Sequence, residues 1–139
     1  MGSRREAREC SLQMLYTADN CNAPIESIYN SFIEYFPKSE TYRAFTINLF
    51  KGVCENKEDI DSIIKQYAKN WELERMAVID RNIIRLATYE IMAAPDTPIS
   101  VIIDEAVEIS KKYSTKDSSK FVNGILDKLK IIRTQKNPK

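Results

Sequence analysis

Apolar residues recur at helical spacing along nearly the whole chain, and only three glycines and five prolines interrupt 139 residues. Scored against the i, i+3, i+4, i+7 pattern of a half-buried helix, the sequence predicts an all-α protein of about seven helices and no strand. The first begins at Ser3, which forms an S-x-x-E capping box with Glu6. It runs to about Ala18 with Ala7, Cys10, Met14 and Ala18 on one face. Pro24 suits the first turn of the second, whose stripe is Ile25, Ile28, Tyr29, Phe32, Ile33 and Phe36, and Pro37 ends it. Ser39 can cap a third helix carrying Tyr42, Phe45, Leu49 and Val53, and Asn56 a fourth carrying Ile60, Ile63, Ile64, Tyr67 and Trp71. The fifth, from about Glu74 to Ala93, is apolar around much of its circumference and is therefore expected at the centre. Pro95 and Pro98 bracket the break after it. A sixth helix follows Ser100, with Ile103, Ala106, Val107 and Ser110 inward. A seventh spans Ser118 to Ile132, with Phe121, Val122, Ile125, Leu126, Leu129 and Ile132 inward.

A chain of this length can remove roughly 68–70% of its unfolded surface from water, so it folds without a disulfide or a metal. We expect a single domain, residues 1–139, frayed at 1–3 and 134–139. No apolar run approaches the length of a membrane span, and the start of the chain turns charged at once, as in a cytoplasmic protein. Cys10, Cys21 and Cys54 lack CxxC spacing and read as reduced, small core residues. Histidine is absent. That excludes Ser-His-Asp and Cys-His nucleophile systems, imidazole acid–base chemistry and His-containing zinc sites. Neither a glycine-rich phosphate loop nor a dinucleotide fingerprint is present, so no cofactor and no metal are expected.

Net charge is only +1, but its distribution is uneven. Residues 111–139 carry nine basic and two acidic side chains, a surplus of +7, while residues 1–110 carry −6. The C-terminal stretch can attract a polyanion, or form an ordinary solvated lysine-rich face.

Several segments together resemble the NusB family of bacterial transcription antitermination factors. They are Arg4-Arg5-Glu6-Ala7-Arg8-Glu9-Cys10 with Leu15-Tyr16, Trp71 to Met76, Asp80 to Glu90, Ile103 to Ile109, and Ser118 to Asp127 with its Lys120-Phe121-Val122-Asn123-Gly124 core. The resemblance implies an all-helical fold of two three-helix units and a non-enzymatic role. It implies binding of boxA-type single-stranded RNA together with NusE, the tenth small-subunit ribosomal protein. It further implies action on RNA polymerase to suppress termination, notably in ribosomal RNA operons. The alternative is a helical protein-interaction or self-association module without specific RNA binding. NusB-like domains also occur fused to RNA methyltransferases, but this chain carries no cofactor loop.

The candidate RNA-binding residues follow from chemistry and resemblance together. Arg4 and Arg8 lie one helical turn apart with Arg5 beside them, a cluster able to grip successive phosphates or to form a solvated helix end. Arginines at a helix start oppose the macrodipole. In Lys116-Asp117-Ser118-Ser119-Lys120-Phe121 a loop enters a helix. Its N–H groups and the Ser118 or Ser119 hydroxyl can hold a phosphate, Lys120 adds charge, and Phe121 can stack on a base or join the core with Ile125 and Leu129. Asp117 is expected to cap this helix while limiting affinity for a polyanion. Tyr16 can stack or hydrogen-bond at the surface, or pack in the core. Asn123-Gly124 is read as permitting close helix packing.

NusE-like proteins are basic, so Tyr67 and Asp80 are candidates for the partner-binding surface, with ordinary core and surface roles as the alternative. Asp104, Glu105 and Glu108 read as a solvated helix face rather than an acid–base or metal cluster. Glu90, within an apolar segment, is expected to bond a backbone group, a hydroxyl or an arginine such as Arg85.

Overall fold

The computed structural model describes residues 3–20, 23–36, 38–68 and 75–136. These residues form α1 (Arg4–Asn20), α2 (Ile25–Ser31), a 3-10 turn (Ile33–Tyr35), α3 (Glu40–Glu55), α4 (Lys57–Tyr67), α5 (Val78–Ala93), α6 (Ile99–Tyr113), α7 (Lys116–Leu129) and α8 (Ile131–Lys136), with no strand among them. The chain divides into two compact units, Met1–Asn56 and Lys57–Lys139.

In the first unit α1 packs along α3, with α2 against both. Both long helices start where local chemistry provides a cap. The Ser3 hydroxyl accepts the Glu6 N–H at 3.1 Å, and that of Ser39 accepts the Tyr42 N–H at 3.5 Å. The two helices pack together, and their buried apolar residues are Ala7, Cys10, Leu12, Met14 and Leu15 on α1 and Leu49, Phe50 and Val53 on α3. Within that contact the Ser11 hydroxyl donates to the Thr46 carbonyl at 2.9 Å, satisfying a buried polar pair. Burial pushes the Cys10 thiol up to about 11, so it is protonated at neutral pH. Cys54 is half-buried, and Cys21 lies outside the described residues.

The second predicted helix is shorter than its apolar stripe. The Ser31 hydroxyl turns back to the Ile28 carbonyl at 2.7 Å, the chain breaks at Phe32, and a 3-10 turn follows. The break lets extended Phe36 reach the core while Ile33 and Tyr35 remain exposed. Asn56 closes α3, its Nδ2 donating to the Gly52 carbonyl at 2.8 Å, in addition to any role it has before α4.

In the second unit α5 contacts α4, α6, α7 and α8, as its nearly continuous apolar surface requires. Several of its buried polar side chains are hydrogen-bonded. Arg85 forms a bidentate pair with Asp61, Nε–Oδ1 2.8 Å and Nη2–Oδ2 3.0 Å, and donates from Nη1 to the Asn82 side chain at 3.1 Å. Glu90 is buried. The sixth helix starts at Ile99 behind Pro98, slightly before the expected Ser100, and buries Ile102 and Ile109 besides Ile103, Ala106 and Ser110; Val107 is only half-buried. Asp104 and Glu108 are exposed on it, and Glu108 pairs with Lys111 at 3.2 Å. No helix among the described residues is long and apolar enough to cross a membrane.

Arg133, from α8, closes the C-terminal end of α5. Its guanidinium donates to the carbonyls of Thr97 (2.6 Å), Ala94 (2.9 Å), Ile91 (3.2 Å) and Glu90 (3.2 Å). Of these, the Ile91 carbonyl is in the last turn of α5, whose carbonyls a helix end leaves short of intrahelical donors, while those of Glu90 and Ala94 also accept the Ala94 and Thr97 N–H groups.

Candidate nucleic-acid interface

The arginines at the start of α1 divide into two kinds. Arg4 and Arg5 are exposed, whereas Arg8 is 4% exposed. The guanidinium carbons of Arg4 and Arg8 lie 5.0 and 5.3 Å from the centroid of the Phe45 ring on α3. Helical spacing puts both on the face that meets α3, and the aromatic ring attracts both cations. Of the expected row of three arginines, Arg4 and Arg5 are exposed and Arg8 is buried against the Phe45 ring that it shares with Arg4. Phe45, expected only in the core stripe, is the residue that organises this end. Its own position in the sequence carried no signal of that role. Tyr16 is 44% exposed near the other end of α1.

At the start of α7 the cap is Thr115, whose hydroxyl accepts the Ser118 N–H at 3.0 Å. The helix therefore begins before the expected Ser118, and Asp117 is not its cap. Asp117 sits exposed in the first turn, where the positive end of the helix favours a carboxylate. The Ser118 hydroxyl accepts from Ser114 Oγ and from Thr115 Oγ1, each at 3.0 Å, and donates to Asp80 Oδ2 at 2.9 Å. Its one proton and two lone pairs are all engaged. Ser119 is buried and donates to the Lys116 carbonyl at 2.7 Å. In this structure both serine hydroxyls, expected as phosphate donors, are engaged in bonds within the protein. What this end presents outward is Lys116, Asp117 and Lys120, with Phe121 half-buried beside them. Phe121 lies outside the buried set of α7, which is Ser119, Val122, Ile125, Leu126 and Leu129. Lys111 and Lys112 are exposed in the last turn of α6.

Asp80, expected at a partner surface, is 6% exposed. It lies in the first turn of the central α5, where its carboxylate accepts from Ser118. Tyr67 is half-buried at the end of α4. Gly124 is exposed, and a Cβ there would meet nothing within 4 Å, so close helix packing is not its role. No group of three or more metal-ligating side chains occurs among the described residues. The structure thus brings Arg4 and Arg8 together on Phe45, and Asp80 together with Ser118. The two helix starts belong to different units.

Fold and site define a class: an all-helical protein of two units whose two helix starts present basic side chains. The NusB family model matches residues 5–130, and the chain belongs to the NusB family. It is 48% identical to the transcription antitermination protein NusB of Trichlorobacter lovleyi over 129 residues, covering 93% of this chain and 91% of that one. The solved structure of T. maritima NusB is 37% identical, with a TM-score of 0.83 over 93% of this chain and 91% of that one. A chain in the crystal structure of the antitermination factors NusB and NusE with double-stranded RNA has the same fold, with a TM-score of 0.84 at 24% identity over 93% and 96% of the two chains.

Proposed function

We propose that this protein is a transcription antitermination factor. It binds boxA-type single-stranded RNA together with NusE, the tenth small-subunit ribosomal protein, and acts on RNA polymerase to suppress termination, notably in ribosomal RNA operons. The observation that carries the reading is family membership across residues 5–130, a span that takes in the start of α7 and all of α1 after Arg4. The protein works in the cytoplasm by binding rather than by catalysis.

Exposed Arg4 and Arg5 hold phosphates, and Arg8 supports Arg4 from beneath through the shared Phe45 ring. Lys116 and Lys120 add charge at the positive end of α7, where backbone N–H groups favour an anion. The half-buried Phe121 ring offers an edge or face to an unpaired base, and exposed Tyr16 offers a second. Asp117 repels phosphate and keeps the affinity moderate. The surplus of acidic residues before position 111 suits a basic partner, and Tyr67 is the candidate contact for it.

Titration of a boxA-like strand and a scrambled strand, with protein alone and with NusE, tests this reading. The boxA-like strand is expected to bind more tightly, and more so with NusE; equal binding of both strands overturns it. Replacing Arg4 and Arg5 with alanine should lower the log–log salt slope by about 1.4, at roughly 0.7 per single-strand phosphate. A second reading, a protein-interaction or self-association module, is favoured by exposed Ile33 and Tyr35, 54% and 71% accessible on the 3-10 turn. It predicts concentration-dependent association without RNA preference.

A further inference from the structure

We infer that Asp80 is a positioning residue for the nucleic-acid interface at the start of α7, acting through Ser118. The inference rests on the reading of that helix start as an RNA contact.

The α6–α7 connection is Ser114-Thr115, the C-cap of one helix and the N-cap of the next. Hydroxyls hold it. Ser114 and Thr115 both donate to the Ser118 oxygen, and Ser118 donates to Asp80, 38 residues earlier in the chain. A carboxylate only accepts, so Asp80 fixes the direction of every proton in this chain of bonds. With its proton committed to Asp80, Ser118 turns both lone pairs toward Ser114 and Thr115. Thr115 is then oriented to cap the Ser118 N–H. The exposed Lys116 and Lys120 stand in the first turns of the same helix.

The arrangement is costly for mere packing. Asp80 Oδ1 is buried and has no hydrogen-bond partner among the described residues. A buried unsatisfied oxygen destabilises a fold, and an apolar side chain at this position would remove the penalty. What the carboxylate supplies instead is a rigid connection under the basic side chains. A rigid site binds a flexible strand better because less ordering remains to be done on binding.

The test uses the full chain with NusE and a labelled boxA-type single strand, read by fluorescence anisotropy, with thermal melts in parallel. Asp80→Ala and Ser118→Ala should each weaken RNA binding on the order of tenfold, the scale of one lost hydrogen bond to a charged group. The double variant should be no weaker than either single one. Asp80→Asn keeps an oxygen that can accept from Ser118 and should bind within about twofold of the unaltered protein. Should Asp80→Ala not fold, Ser118→Ala and Asp80→Asn carry the test. A lowered Tm with unchanged RNA affinity overturns the inference, as do additive effects in the double variant or an Asp80→Asn loss equal to that of alanine. Lys120→Ala separates the two levels. If it weakens binding while Asp80→Ala does not, only the positioning role fails; if it binds like the unaltered protein, the α7 interface itself fails.

Discussion

Arg133→Ala should be among the more damaging single changes in the second unit, although Arg133 follows the predicted helices at the edge of the polar tail. Its guanidinium occupies the C-terminal end of α5 through the carbonyls of Thr97, Ala94, Ile91 and Glu90. That helix has no basic residue of its own in its last turn. Two of the contacts, at 2.6 and 2.9 Å, are short; those at 3.2 Å are shared among donors and count for less. A hydrogen bond to a charged group contributes about 1.5–3 kcal/mol, and a cation at a partly buried helix C-terminus up to about 2 kcal/mol, with the two descriptions overlapping. Water can reach some of the freed carbonyls, because Arg133 is only half-buried. The net expectation is a loss of about 3 kcal/mol, or about 10 °C in Tm for a chain of this size. Arg133→Lys keeps the charge but not the planar fork, and should lose about half as much. Circular dichroism melts measure the totals, and amide exchange should locate the loss at the C-terminal turn of α5. A Tm within about 3 °C for alanine, or a lysine variant as stable as arginine, would refute the argument.

Gly124→Ala should raise stability by about 1 kcal/mol in a thermal or urea melt, since alanine is the better helix former and open space surrounds the new methyl group. Phe121→Ala should cost about 1–2 kcal/mol of stability, short of the roughly 3–5 kcal/mol of a fully buried phenylalanine, and about 1–3 kcal/mol of RNA affinity; a full core-sized stability loss with unchanged RNA affinity of the folded fraction would show a packing role instead. Cys10 should resist alkylation at pH 7.5 in the folded protein and react on unfolding, because its thiol is pushed up to about 11. Folding favours the protonated thiol, so the stability linked to Cys10 is present below the ordinary thiol value of 9.0 and is lost as pH rises from there toward about 11; a stability difference between this protein and Cys10→Ala that stays flat across that interval would contradict it.

What was legible in the sequence depended on the distance over which each feature is decided. Ser3 and Ser39 cap their helices through bonds spanning three residues, so a local reading finds both starts. The start of α7 is ambiguous at that range: Thr115 and Ser118 both have a capping hydroxyl. What separates them is that Asp80, 38 residues away, takes the proton of Ser118. Arg8 shows the same limit. Helical spacing places it on a face with Arg4, but only the position of Phe45 on another helix decides that this face is turned inward.

One signal was present and underused. A helix that is apolar around most of its circumference must bury its polar residues as well, and buried polar groups need partners. Applied to α5, that rule turns Asp80 from a surface candidate, and Arg85 from a possible partner of Glu90, into residues that must each be answered from elsewhere. The structure answers them with Ser118 and Asp61. Arg133 lies beyond even this rule, because its partners are backbone carbonyls, which every residue carries. A helix reaching Pro95 without a basic residue in its last turn poses the need for a cation but does not say which one will come. Position in the fold, rather than residue type, therefore decides which basic side chains of this protein are open to a ligand and which hold it together: Arg4, Arg5 and Lys120 are exposed, while Arg8, Arg85 and Arg133 are engaged inside the units that carry them.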